Sequence, residues 1–447
     1  MTVIAVKTKA EQQLVAQFAE VADRLPGAGW VKDARRAAIG AFAASGLPHR
    51  RIEEWKYTDL RTLLKEAFPP VAGKPAHFGT EVLETALGPD FAKLNCHRYV
   101  FVNGAFLAAA SSPLIAKAAG HHIATVAEAF GQPGFEWLQQ SGERTPQADA
   151  DPLLALNTAF ATDGAILRVD TGVTVELPIH LIFVSTSTKP AAVATLNLIR
   201  IEKDARAIIL ETHIGLAGAA RQANSVVRLN VGEGANVQHL KLTAEGTEAG
   251  HLATWVVDIA AGAIYNAFQM TESVALARHQ HFVTFKGEGA AFTFNAAFLG
   301  RGNSHIDTTM VIDHAVPGCT SRETVKGVLD NTARGIFQGK VIVRPDAQKS
   351  DGKQMAKALL LSPNAEFDSK PELEIYADDV ICGHGSTAAE LDGDQVFYLR
   401  ARGIPEPQAR ALLIEAFVAE TIDAIESESI REAFRARLAA WLAGGGA

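Results

Sequence analysis

Hydrophobic and polar residues alternate along the middle of the chain, from about residue 98 to residue 390. Short runs rich in Val, Ile, Thr and Phe carry the alternation, and Gly, Asn or Asp residues separate them. Side chains of a β-strand point alternately to its two faces, so each run is expected to bury one face. The clearest runs are residues 180–186, 195–202, 225–234, 237–243, 254–260 and 281–289.

These runs recur at short intervals over most of the middle zone, with one short helical pattern at residues 152–160 near its start. A sandwich or closed barrel rarely continues for such a length. A coiled stack of strands can, because each coil buries its face against the next. The pattern therefore favours a mainly β fold with a β-helix core. The runs share no strict motif, so periodicity alone leaves a jelly roll or a large sandwich open.

Both ends of the chain have helical periodicity instead. At the N-terminal end the apolar residues that recur at helical spacing are Leu14, Phe18, Val21 and Leu25. Pro26 and Gly27 interrupt this pattern, and a second helix is predicted over residues 34–44. The predicted division is a helical N-terminal region over residues 1–95, a β-helix core over residues 96–390 and a helical C-terminal domain over residues 391–447.

The helix predicted after Pro405 has two apolar stripes. Leu413 and Phe417 mark one stripe. The residues of the other are Ile414, Val418, Ile422 and Ile425. A helix that is apolar on two sides is expected to be buried on both. We therefore expect one stripe to pack on the chain's own core and the other to contact a partner.

Composition excludes several classes of protein. The formal net charge is −8 in 447 residues, which gives no basic surface for nucleic acid. No run approaches the roughly 18 apolar residues that span a bilayer, and the first residues lack the pattern of a signal peptide. Three widely spaced cysteines cannot form a disulfide framework. A soluble protein of the reducing cytosol is expected.

One pair of metal-ligating residue types stands out at the end of the β-rich zone. Cys382 and His384 are two positions apart in an extended run, so both side chains leave the same face. A thiolate beside an imidazole suits iron or zinc, but two ligands do not complete a metal shell. The pair is either a buried thiol next to a hydrogen-bonded histidine or half of a site that a partner chain completes. His279 and His281 share a strand face in the same way, and there we expect an ordinary half-exposed polar face.

Long stretches of the C-terminal half resemble the SufB/SufD family of iron–sulfur cluster assembly proteins. They run in order from residue 311 to residue 417 and include P-G-C-T-S-R-E-T-V-K-G, A-Q-K-S-D-G-K-Q-M-A-K and E-I-Y-A-D-D-V-I-C-G-H-G. The segment R-I-E-E-W-K-Y-T-D-L at residues 51–60 is similar to the family's entry motif. Within the family the chain is most similar to SufD, because the stretch after Ser362 lacks the cysteine expected of SufB and Gly385 replaces an expected glutamate.

The resemblance implies a right-handed parallel β-helix flanked by helical regions. It also implies a non-catalytic scaffold subunit that forms a nascent iron–sulfur cluster at its interface with SufB and is driven by the SufC ATPase. His384, and after it Cys382, would then be ligands of iron or of the transient cluster. SufB would bind the end of the β-helix. The residues expected to contact SufC are Phe397, Tyr398, Leu399, Arg402, Gly403, Ile404, Leu412 and Leu413.

Two further features bear on this hypothesis. The sequence has neither a nucleotide-binding phosphate loop nor the G-x-S-x-G motif of serine hydrolases, so ATP hydrolysis is expected in SufC and no nucleotide on this chain. The alternative function is a cytosolic β-helix enzyme acting on carbohydrate, which would need convergent carboxylates along a groove. A homodimer of the isolated chain stays open, since the end of a β-helix readily pairs with another strand.

Overall fold

The alternating runs form β-strands that are connected by tight turns. The computed structural model describes residues 7–27, 29–71, 78–114, 120–130, 151–216 and 219–444. Its strands are β1 His97–Val102, β2 Ala105–Phe106, β3 His121–Thr125, β4 Ala165–Val169, β5 Ile179–Ser185, β6 Ala191–Ile201, β7 Arg206–Gly215, β8 Arg221–Val231, β9 Asn236–Ala244, β10 Gly246–Ile259, β11 Ile264–Glu272, β12 Val274–Phe285, β13 Ala291–Gly300, β14 His305–His314, β15 Thr320–Leu329, β16 Arg334–Val343, β17 Asp351–Leu360, β18 Glu366–Ile375 and β19 Ile381–Ala389.

Successive strands alternate between two facing sheets, which makes the core a parallel β-helix. From β4 onward the even-numbered strands follow one another in one sheet, and from β5 onward the odd-numbered strands do so in the other. From β4 to β17, each strand pairs in parallel with the strand two places later in the chain. The predicted β-helix is confirmed, because a jelly roll or sandwich would be built from antiparallel pairs.

The corners of the β-helix explain the Gly, Asn and Asp residues between the runs. Asp204, Gly234 and Gly262 occupy neighbouring corners with φ of 56°, 65° and 63°. The backbone N–H of each donates to a carbonyl group in the next coil, at 2.8–2.9 Å. Left-handed backbone is accessible to Gly at no steric cost and to Asp or Asn at a small one. These residues therefore let every coil turn at the same place.

Most central strands are buried on both faces, so the expectation of one buried face per run was wrong there. Every residue of β9 from Val237 to Ala244 is buried. Val237 faces the space between the two sheets, which we call the lumen, and packs with Tyr265. Leu240 and Leu242 point outward into a second core. Helices from both ends of the chain cover the outer faces, and a strand pattern alone does not reveal that cover.

The helices that cover the sheets come from the N- and C-terminal ends of the chain and from one internal segment. Their bounds are α1 Lys9–Val21, α2 Trp30–Ser45, α3 Leu60–Leu63, α4 Thr80–Leu87, α5 Pro89–Ala92, α6 Val126–Ala129, α7 Pro152–Phe160, α8 Gly393–Arg400, α9 Glu406–Ile422 and α10 Glu428–Gly444. Helices α1, α2 and α7 pack on the even-numbered strands. Helices α4, α5, α9 and α10 pack on the odd-numbered strands. None of the helices in the described ranges is long and apolar enough to cross a membrane.

Candidate metal-ligand site at the open end of the β-helix

The last coil of the β-helix is uncovered at its C-terminal end. Within the described residues, β18 pairs only with β16 and β19 only with β17, so each leaves one edge unpaired. Ile381 is 64% exposed and Tyr376 is 60% exposed beside these edges. An unpaired strand edge with exposed apolar side chains is typical of a surface that a partner covers. We call β18, β19 and their connection the open end.

Both candidate ligands lie on β19, at this open end. Cys382 pairs in register with Gly352 of β17, and His384 pairs with Gln354. A Cβ atom placed on Gly352 would lie 3.7 Å from the sulfur of Cys382, so the thiol packs over that glycine on the lumen side. The period of two along a strand then puts His384 on the same face. The predicted shared face of the two side chains is thus what the structure has.

The thiol and the imidazole differ in their surroundings. Cys382 is half-buried, while His384 is exposed. Burial raises the pKa of the Cys382 thiol, and the nearby carboxyl groups of Asp351 and Glu323 act in the same direction. Cys382 is therefore a neutral thiol at pH 7, and binding to a metal would release its proton. His384 is accessible to a partner across the open end, because its side chain is exposed.

The two side chains do not form a complete metal site by themselves. No group of three or more His, Cys, Asp or Glu side chains within the described ranges is arranged to hold a metal ion. Iron and zinc sites use four or more ligands, including any that the substrate or solvent supplies. What the geometry offers is a soft donor and an imidazole, side by side, at the edge of an uncovered surface.

A second exposed surface lies around the turn between α8 and α9. Phe397 is 70% exposed and Tyr398 is 57% exposed, although both are large and apolar. The guanidinium of Arg402 lies 3.4 Å from the centre of the Tyr398 ring. Gly403 ends this segment with a φ of 86°. We call the surface the C-terminal patch; its remaining residues, half-buried or exposed, are Leu399, Ile404, Leu412 and Leu413.

Two family models match the chain over almost its whole length. The model of the SUF system FeS cluster assembly SufBD core domain matches residues 183–417. The model of the SufBD protein N-terminal region matches residues 8–181. The chain belongs to the SufBD family. Its general role is iron–sulfur cluster assembly in the SUF system.

Two relatives match over nine tenths of the chain, and a third matches over about two thirds of it. The iron–sulfur cluster assembly protein SufD of Escherichia coli (strain K12) is 29% identical over 405 residues, which is 90% of each chain. The SufBD family protein slr0076 of Synechocystis is 30% identical over 416 residues, 90% of this chain and 89% of that protein. The chloroplastic protein ABCI7 of Arabidopsis thaliana is 28% identical over 295 residues, 64% of this chain.

The SufBD core also buries charged residues that sequence reasoning missed. In the lumen, Glu211 lies 3.6 Å from the ammonium group of Lys241 and accepts a hydrogen bond from His239 at 2.7 Å. Burial by itself would raise the pKa of Glu211, but Lys241 and two histidines outweigh it and hold that pKa well below its usual range. The sequence did contain a signal for them. Each of these charged residues stands in an otherwise mostly apolar strand and shares a strand face with apolar residues.

The prediction that His279 and His281 lie on a half-exposed face was wrong. They are 1% and 3% exposed and face the lumen. The ring of His281 stands edge-on to Trp255, with 4.8 Å between the ring centres. Burial lowers the pKa of His281 to about 3, so it is neutral at pH 7. The polar side of a β-helix strand can face its interior, whereas in a sandwich the corresponding side faces solvent.

Proposed function

We propose that this chain is the SufD-type scaffold subunit of a SufB–SufC–SufD complex and that a nascent iron–sulfur cluster forms where its open end meets SufB. The observation that carries the proposal is the position of the Cys382–His384 pair on β19, at an edge that no strand of the described residues pairs with. Membership of the SufBD family supports the same assignment. The cluster is the cargo of the complex rather than a resident cofactor of this chain.

The two residues would supply only part of the ligand set. His384 would bind iron through one ring nitrogen, since the neutral imidazole is the form of histidine that ligates metals. Cys382 would bind second or support the same metal after losing its proton. SufB would supply the remaining ligands from the opposite side of the interface. A cluster held partly by a single imidazole is more easily released than one held by four thiolates, which suits a scaffold.

The C-terminal patch is the proposed SufC contact. Phe397 and Tyr398 provide exposed aromatic area, and aromatic residues are enriched at the centres of protein interfaces. Helix α9 links the patch to the β-helix, because the ammonium group of Lys326 in β15 donates to the backbone oxygen of Phe417 at 2.6 Å and pairs with Glu420. ATP hydrolysis would occur in SufC, and this chain would transmit the resulting motion as a non-catalytic subunit in the cytosol.

The proposal is tested by anaerobic co-purification of the chain with SufB and SufC of its host, followed by supply of iron and sulfide. We expect His384→Ala to leave the complex intact and to abolish the cluster's visible absorption, because one ligand of the interface site is lost. Cys382→Ser should reduce the absorption less, since Cys382 is the second choice as a ligand.

Ser386→Ala is the matched control, because Ser386 is exposed on the same face of the same strand and is a poor ligand for iron. It should retain full absorption. A His384→Ala complex with undiminished cluster absorption would remove His384 from the ligand set and leave SufB to hold the cluster alone.

A further inference from the structure

A row of polar side chains leads from His384 into the lumen. His384 of β19 pairs in register with Gln354 of β17, which pairs with Glu323 of β15. Glu323 pairs in turn with Phe294 of β13, a fully buried aromatic residue. In-register residues of parallel strands lie about 4.8 Å apart on the same face. The row thus begins at the open end and ends on an apolar layer.

The two inner members of this row lack hydrogen-bond partners. Gln354 is 2% exposed and Glu323 is 1% exposed. Neither the oxygen nor the nitrogen of the Gln354 amide, and neither oxygen of Glu323, has a partner among the described residues. Buried polar groups in folded proteins almost always find a partner, and each exception calls for an explanation. Here two exceptions are adjacent, directly behind the candidate ligand.

The opposite sheet leaves room for the Gln354 amide. A Cβ atom on Gly339 of β16 would lie 2.8 Å from both polar atoms of that amide. Any larger residue at position 339 would therefore press on this amide and on the ring of Phe337, 2.6 Å away. The glycine leaves space for the amide in the lumen, with Glu323 on one side and the exposed imidazole of His384 on the other.

We propose that Gln354, backed by Glu323, is a positioning residue that hydrogen-bonds the ring nitrogen of His384 that does not bind metal. The inference rests on the proposed function of His384. A histidine that ligates a metal generally holds its second nitrogen in a hydrogen bond, which fixes the tautomer and the direction of the ring. The amide can accept the ring N–H through its oxygen, and its NH₂ group can then donate to the Glu323 carboxyl.

Nuclear magnetic resonance of the full chain with ¹⁵N-labelled histidine tests this role without any metal. The ring signals of His384 are assigned by their loss in His384→Ala. Replacing Gln354 with methionine keeps the length of the side chain and removes both hydrogen-bonding atoms. The ratio of the two neutral His384 tautomers should change about fivefold, the factor that one neutral hydrogen bond gives.

Two further variants separate positioning from general packing. Gln338→Met is the matched control, because Gln338 is also buried and one coil from the end, but it lies on the outer face of the other sheet and donates to Thr309 and to the backbone oxygen of Glu54. It should leave the tautomer ratio unchanged. Gly339→Ala should change the ratio in the same direction as Gln354→Met, since it displaces the amide without removing it.

The proposal is overturned if Gln354→Met leaves the ratio unchanged, or if Gln338→Met changes it equally. Should Gln354→Met fail to fold, Gln354→Asn gives the same comparison, because the shorter side chain keeps the amide and loses its reach. The readout is independent of cluster formation. A changed tautomer ratio together with full cluster absorption in His384→Ala would preserve the positioning role and refute the proposed ligand role.

Discussion

Glu323 keeps a carboxyl group in the lumen with no charged partner at hydrogen-bond distance among the described residues. Burial raises its pKa to about 8, and the charge of Arg322 and the side chains of Ser321 and Gln354, which lie near it but outside hydrogen-bond geometry, offset this only in part. In the unfolded chain its pKa would be near 4.5. The folded protein therefore binds more protons than the unfolded chain between pH 4.5 and 8. It follows that Glu323 lowers the free energy of unfolding as the pH rises through this range.

Glu323→Gln should remove this dependence, because the amide has nearly the same shape and no charge. The difference in free energy of unfolding between the variant and the wild type should grow in favour of the variant from pH 5 to pH 9, by about 4 kcal/mol at most. Urea denaturation at the two pH values measures the difference. If the free energy of unfolding of the variant exceeded that of the wild type by the same amount at pH 5 and at pH 9, a raised pKa of Glu323 would be contradicted.

The residue scale also shows how far sequence patterns reach. The shared face of Cys382 and His384 followed from the period of two along a strand, and the structure has it. The placement of Gln354 and Glu323 behind His384 did not follow, because it depends on the register between coils. Their separations in sequence, from 323 to 354 to 384, are unequal. Both residues lie within stretches that resemble the SufB/SufD family, but nothing in those stretches distinguishes them from their neighbours.

Individual elements were predicted best where their ends carry local signals. Helix α7 begins at Pro152 and ends at Phe160, as predicted, because Pro152 suits the first turn and the Asp151 side chain caps Leu153 and Leu154. The cover over β9 was missed, because α9 and α10 lie far away in sequence. For α9, Ile414 and Val418 are buried against the core and Phe417 is half-buried, so the proposed partner side of that helix stays a prediction.

The C-terminal patch gives a test at the level of one element. Replacing Phe397 and Tyr398 together with alanine should weaken SufC binding at least tenfold, because exposed aromatic anchors would be lost. The free energy of unfolding should change by less than about 1 kcal/mol, since both side chains are exposed. Calorimetric titration with SufC measures the affinity. The control is Val15→Ala, because Val15 is an exposed apolar residue on α1, far from the patch in sequence. If the double variant and the control bound SufC with equal affinity, the proposed contact would be refuted.

Across the whole molecule, buried histidines should make the fold sensitive to acid. Burial lowers the pKa of His180, His213 and His281 to about 3 each, whereas an unfolded histidine titrates near 6.5. Below pH 6.5 the unfolded chain therefore binds protons that the folded chain cannot, and stability falls as the pH falls toward 3.

Between pH 7.5 and pH 5 each of these histidines should lower the free energy of unfolding by about 2 kcal/mol. The measurement is a urea denaturation series on Glu323→Gln and on the same variant with His281→Gln added, because buried carboxyl groups with a raised pKa, such as Glu272, have the opposite dependence and cancel in the comparison. A free-energy difference between the two variants that stays constant from pH 7.5 to pH 5 would show that His281 is not held neutral in the folded chain.

The open end gives a second test for the whole molecule. Ile381→Lys should weaken binding to SufB and any self-association of the isolated chain, because a charge next to an unpaired edge opposes strand pairing. Sedimentation velocity measures both. Ile264→Lys is the matched control, since Ile264 is 40% exposed but lies in β11, in the middle of the β-helix. Equal effects of the two substitutions would exclude the open end as the interface.

Regular pairing between coils keeps the coils of the β-helix at a constant spacing. Strands β11, β13, β15, β17 and β19 pair without an interruption of register. Each additional coil would move the open end by about one strand spacing, 4.8 Å, and would leave the coils beneath it unchanged. Helix α9 is held to β15 through Lys326, so an additional coil beyond β15 would move the ligand pair one strand spacing further from that contact. Under the proposed function, the number of coils would therefore set the separation between the anchor of the patch and the cluster site.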